Sequence, residues 1–168
     1  AVLRGTFSYS PAYYNFEGSG VNYYDLGVQN SRGFRALKVW LALRQAGRRG
    51  YRQMIADDMR LAAHLYRLTA EHPWLEALTH GLSIATFRFV PPALRGRLGS
   101  EEAEAELNRL NQELLGAIER SGEAFLSNAV IGGRYALRAC IVIFRTSLSD
   151  IEALPELVAR MGRQLQGA

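Results

Sequence analysis

The chain has 168 residues, 48% of them hydrophobic, with a formal net charge of +4. That length and composition support one domain with a sizeable core, or a small domain with an appendage, and exclude wholesale disorder. No apolar run approaches the ~20 residues that cross a bilayer, no signal peptide opens the chain, and the scattered arginines form no polybasic block, so neither a membrane nor a nucleic acid is expected as partner.

Residues 1–32 carry five of the eight tyrosines, with Gly, Ser and Asn between them, in "FSYSPAYYNFEGSGVNYYDLGVQNS". No helical period runs through them, and they are expected to form a long loop with aromatic side chains. Helical patterning begins near Gly33: Phe34, Leu37, Trp40, Leu41 and Leu43 form a broad apolar stripe that Gly47 can stop. A second helix is predicted from about Tyr51 to Glu71, ended by Pro73.

The period then changes. "LSIATFRFV" alternates over Leu82–Val90, with Ser83, Ala85, Phe87 and Phe89 on one face and Ile84, Thr86, Arg88 and Val90 on the other. A short strand near Leu75–Thr79 precedes it, and a polar loop, "PPALRGRLGS", follows. Ser100 caps a helix with Glu101 and Glu102 in its first turn and Leu107, Leu110, Leu114 and Ile118 on one face. "AFLSNAVIGGRYALRACIVIF" predicts a β-hairpin that turns at Gly132-Gly133. Ser147 and Asp150 suit a capping box for a last helix, in which Pro155 requires either a start at Leu154 or a kink. The order β-β-α-β-β-α after residue 73 predicts an α+β fold, a small antiparallel sheet with helices on one face.

Few residues offer chemistry. His64, His72 and His80 lack metal-ligand spacing, so no metal is expected. Cys140, the sole cysteine, falls in an apolar strand and is expected to be an inert core thiol; one cysteine allows no disulfide within the chain and fits the cytoplasm. Tyr13 either packs the aromatic loop or delivers a proton from it. Asn30 and Ser31 stand where the chain turns into a helix and either cap it or hold a phosphate oxygen. Arg138 needs an acceptor on its strand, and the residues alone leave open whether that is an internal carboxylate or a ligand's.

Three stretches in order resemble the C-terminal third of the group II pyridoxal-phosphate (PLP)-dependent amino-acid decarboxylases, the aromatic amino-acid, histidine and glutamate decarboxylases. "SRGFRALKVWLALRQAGRRGY" is similar to the family's RFRxLKxWxxLRxxGxxG helix. "FSYSPAYY" resembles the mobile loop before it, and "GRYALRACIVIFRTSLSDIEAL" the C-terminal strand ending in LR. The resemblance implies the small C-terminal domain of the aspartate-aminotransferase-type fold (fold type I) over residues 73–168. Residues 33–72 would be connecting helices, and residues 1–32 an active-site segment from the large cofactor domain. It implies a decarboxylase that releases carbon dioxide from an L-amino acid, works as a homodimer, and binds PLP mainly through a large domain outside this chain.

The family's Schiff-base lysine lies upstream, in a His-Lys pair. Lys38, the only lysine, matches the helix lysine of LKxW and is expected to be structural. By the same resemblance Tyr13 is the catalytic loop tyrosine that protonates the substrate carbon after carbon dioxide leaves. Asn30 and Ser31 reach the cofactor phosphate and the substrate side chain, with Ser31 in direct contact. Arg138 binds the substrate carboxylate and orients the scissile bond. Gly33 departs from the pattern, where a second arginine is common. Two other readings stand beside this one: a free-standing basic α+β interaction or RNA-binding module, and the same part of another fold type I PLP enzyme.

Overall fold

A computed structural model describes residues 2–9, 20–29 and 33–167. The chain divides into two units, residues 1–47 and residues 48–168.

The first unit is less of a loop than its composition suggests. A short helix α1 (Val2–Phe7) is followed by a 3-10 turn over Tyr23–Leu26. Buried Asp25 ties the two: Arg4 donates to one carboxylate oxygen at 3.1 Å and Ser8 to the other at 3.2 Å. Helix α2 (Arg35–Glu71) begins in this unit, and its backbone leaves helical geometry at Gly47, with φ 62° and ψ 174°. That left-handed φ is open to glycine at little cost. The break needs only Gly47, so the helix resumes at once rather than near Tyr51.

In the second unit a four-stranded antiparallel sheet has the order β1-β2-β4-β3, from β1 (Leu75–Gly81), β2 (Ile84–Phe89), β3 (Ser127–Ile131) and β4 (Arg134–Cys140). The β3–β4 hairpin turns at Gly132 and Gly133, both with positive φ (56° and 80°), as the two-residue turn requires. A short helix α3 (Pro92–Arg95) occupies the expected loop. Helix α4 (Glu101–Ser121) starts at Ser100, whose Oγ accepts the Ala103 N–H. Helix α5 (Leu148–Gln166) starts with the complete capping box of Ser147 and Asp150 and carries Pro155 inside it, so a start at Leu154 is ruled out.

The predicted alternation of β2 holds. Ala85, Phe87 and Phe89 enter the main core with Leu137 and Ala139 of β4, Ala62 and Leu65 of α2, Leu114 and Ile118 of α4, and Ile151 and Val158 of α5. Phe89 is fully buried and stacks on Trp74 with the rings 6° from parallel. A Cβ on Gly162 of α5 would lie 2.6 Å from the Phe89 ring. Gly162→Ala is therefore expected to destabilise the protein by about 1–3 kcal/mol through overpacking, against a helix-propensity gain of at most ~1 kcal/mol. An unchanged or raised thermal midpoint would contradict this packing.

Strands β2 and β4 pair from Ile84↔Cys140 to Phe87↔Leu137 and no further. Helix α4 takes up the backbone groups left beyond that point. Buried Asn111 accepts the Phe89 N–H at 2.7 Å and donates to the Phe89 carbonyl at 2.9 Å. Asn108 accepts the Tyr135 N–H at 2.6 Å and donates to the Gly133 carbonyl at 2.9 Å. Two amides thus complete the ladder where the strands part, and at buried Phe89 the Asn111 amide spares two backbone groups a desolvation cost of about 1–3 kcal/mol each.

Candidate active-site face of the sheet

The strand alternation that sends Leu137 and Ala139 inward places Arg138 on the other face of β4. Its direct cross-strand partners are Thr86 on β2 and Ser127 on β3. The half-buried guanidinium donates through Nη1 to Ser127 Oγ at 3.2 Å. Thr86 does not compete for it, because its Oγ lies 2.6 Å from Thr79 Oγ and accepts the Thr79 N–H at 3.0 Å.

Arg88 shares this face and has a different fate. It is fully buried, with Nε donating to Glu76 at 2.6 Å and Nη1 and Nη2 gripping both oxygens of Glu104 at 2.5 and 3.1 Å. Glu76 also receives Arg134 at 3.3 Å. Burial alone pulls the Arg88 pKa down, but the hydrogen bonds it donates to Glu104 and Glu76 outweigh it, and the guanidinium sits above its ordinary value. The same bond from Arg88 is the main cause that holds the Glu104 carboxyl at about 2. Residue pattern put Arg88 on the right face but missed this network. Glu104, in the acidic first turn of α4, was the available signal.

The internal acid that an arginine on this sheet requires thus belongs to Arg88. Among the described residues no carboxylate pairs with Arg138. An arginine fork with one neutral partner keeps donors in hand for two parallel bonds to a ligand carboxylate.

Three other expectations fare differently. Tyr13, Asn30 and Ser31 lie outside the described residues. Strand β4 ends at Cys140, with Val142 and Phe144 exposed beyond it. Cys140 is exposed rather than a core thiol, because the chain leaves the ladder there, and it lines a surface hollow of about 340 Å³ with Leu126, Ile143 and Leu154. Among the described residues no group of three or more His, Cys, Asp or Glu could hold a metal. His64 and His72 instead face Glu152 and Glu156 of α5, each at 3.4 Å.

Residues 1–89 match the family described as the pyridoxal-dependent decarboxylase conserved domain, just over half of the chain. The chain belongs to the pyridoxal-dependent decarboxylase family. It is 33% identical over 137 residues to tyrosine decarboxylase 2 of Arabidopsis thaliana, covering 79% of this chain and 24% of that protein. It is 34% identical over 146 residues to a phenylacetaldehyde synthase of a Rosa hybrid cultivar, covering 84% of this chain and 28% of that one. In fold it is similar to mouse CSAD in its apo form, with a TM-score of 0.76 at 21% identity over 96% of this chain and 34% of that one. The α+β fold is therefore that of a part of the PLP decarboxylases, and the chain spans about a quarter of the length of these curated relatives.

The described residues do not make a cofactor site by themselves. PLP enzymes hold their cofactor through a lysine amine inside a cleft, and Lys38 is exposed on α2. What this chain presents on that face is Arg138, whose guanidinium bonds a neutral hydroxyl and, among the described residues, no carboxylate.

Proposed function

We propose that this chain is the C-terminal part of a PLP-dependent L-amino-acid decarboxylase that releases carbon dioxide to give an amine, and that it is inactive alone. The observation that carries the reading is Arg138, a half-buried guanidinium that pairs with no acid among the described residues, in a chain of this family. The large domain outside this chain supplies the lysine and most of the cofactor contacts. Arg138 orients the substrate carboxylate, Tyr13 donates the proton to the carbon that loses it, and Asn30 and Ser31 border the cofactor phosphate and substrate side chain.

The enzyme works as a cytoplasmic homodimer. Phe34, Trp40, Leu41 and Leu43 support an extensive partner surface, since each is more than half exposed although their spacing is that of a packed helix face. In a decarboxylase such a surface meets the large domain or the second subunit.

The full-length gene product, supplied with PLP, is expected to release carbon dioxide from at least one of L-tyrosine, L-tryptophan, L-phenylalanine, L-histidine and L-glutamate. The 168-residue chain releases none. Failure on all five, with PLP bound, would overturn the reading. Tyr13→Phe is expected to slow amine formation while leaving substrate affinity near wild type, and equal turnover would remove Tyr13 from its role. The identity to a phenylacetaldehyde synthase favours one other outcome, an aldehyde product. Chromatography of the same reactions separates aldehyde from amine.

A further inference from the structure

We propose that the Ser127 hydroxyl is a positioning group that aims Arg138 at the substrate carboxylate, and that its lack of charge is what keeps Arg138 available. The inference rests on the carboxylate-binding reading of Arg138 and extends it to a residue on the neighbouring strand.

Ser127 and Arg138 are direct partners across β3 and β4. The serine Oγ makes two bonds to one residue: it accepts from Arg138 Nη1 at 3.2 Å and donates to the Arg138 carbonyl at 3.4 Å. Because its own proton goes to that carbonyl, the hydroxyl faces the guanidinium as an acceptor. The guanidinium is therefore steered from one corner, and among the described residues Nε and Nη2 are left over. Those two nitrogens form one edge of the fork, the edge that grips a carboxylate through two parallel bonds.

Arg88 shows the alternative on the same sheet. Carboxylates engage its Nε, Nη1 and Nη2 and the side chain is fully buried, so it offers a ligand no open edge. An acidic side chain at position 127 would do the same to Arg138. Serine at this position holds the arginine in place without neutralising it.

The test uses the full-length enzyme and two ligands that differ only in the carboxylate: L-tyrosine and tyramine, or the amino acid and amine of whichever substrate the screen above selects. Dissociation constants come from calorimetry and competition, and thermal midpoints are recorded in parallel. Ser127→Ala is expected to weaken amino-acid binding about ten-fold, the size of one hydrogen bond to a charged group, and to leave amine binding within about two-fold. Ser127→Thr keeps the hydroxyl and should return amino-acid affinity to near wild type. Ser127→Asp should weaken amino-acid binding more than alanine does, on the order of a hundred-fold, without a lowered midpoint.

Equal loss for amine and amino acid, no loss for either, or no recovery in Ser127→Thr would each overturn the inference. Arg138→Met separates the two levels. If it weakens amino-acid binding while Ser127→Ala does not, the positioning role alone falls. If Arg138→Met changes nothing, the carboxylate reading beneath it falls too.

Discussion

Replacing Arg138 with methionine in the full-length enzyme is expected to raise KM for the amino acid about a hundred-fold, with a smaller fall in kcat. The size follows from two charge-assisted bonds, each worth about 1.5–3 kcal/mol, set against ~2.7 kcal/mol for a hundred-fold change. The split follows from the reaction. In the proposed reaction the carboxylate bound by Arg138 leaves as neutral carbon dioxide, so the grip would be strongest before the bond breaks and would weaken at the transition state. Binding that is stronger in the ground state than at the transition state is read in KM, and the loss in kcat reports orientation of the scissile bond. Steady-state kinetics with amine detection decide the matter. A variant that loses kcat alone, with KM unchanged, would contradict an orienting role and point to a part in the chemical step.

Arg88→Leu is expected to destabilise the protein by about 3–5 kcal/mol, the largest stability effect in the sheet. The substitution leaves Glu76 and Glu104 beside a buried apolar side chain with their common partner gone. Adding Glu104→Gln to Arg88→Leu should recover part of the loss, since one stranded charge is then removed.

The pH dependence has a definite sign. Chiefly Arg88, with the Gly99 N–H, lowers the Glu104 carboxyl from 4.5 to about 2 in the folded state, so the unfolded chain binds the proton first. The stability this contributes is fully present above pH 4.5 and is lost as pH falls toward about 2. Urea midpoints of wild type and Arg88→Leu should therefore converge between pH 5 and pH 2.5, within about the window set by the two pKa values. Parallel acid limbs in the two proteins would mean that Glu104 does not depend on Arg88.

The elements that were legible in the amino-acid order are those fixed by local chemistry. Gly132-Gly133 set a turn because both positions need positive φ, and Ser147 with Asp150 set a helix start because their side chains reach backbone groups three residues away. The alternation around Phe87 was readable because one face of β2 meets the core. What escaped depends on elements far apart in the chain. Asn108 and Asn111 interrupt an apolar helix face with two amides, but their purpose appears only where α4 meets strand ends 22 to 27 residues away. The Arg88–Glu104 pair is formed in the same way across 16 residues.

The run "CIVIF" has the composition of a strand, yet the ladder stops at Cys140. The Ile141 N–H turns to the Ser83 carbonyl, and Val142, Ile143 and Phe144 are exposed. The stripe from Phe34 to Leu43 has helical spacing and is exposed. Pattern identifies such a face without naming what packs on it. Of the candidate site residues only Arg138 falls among the described ones. Arg88, not Arg138, holds the acids Glu76 and Glu104 on that face.

The most direct measurement is a crystal structure of the full-length enzyme with PLP and an unreactive substrate analogue that keeps its carboxylate. The account predicts that carboxylate within ~3 Å of Nε and Nη2 of Arg138, with Ser127 Oγ on Nη1. An Arg138 guanidinium paired to a carboxylate of the protein itself, with the ligand's carboxylate bound elsewhere, would contradict it.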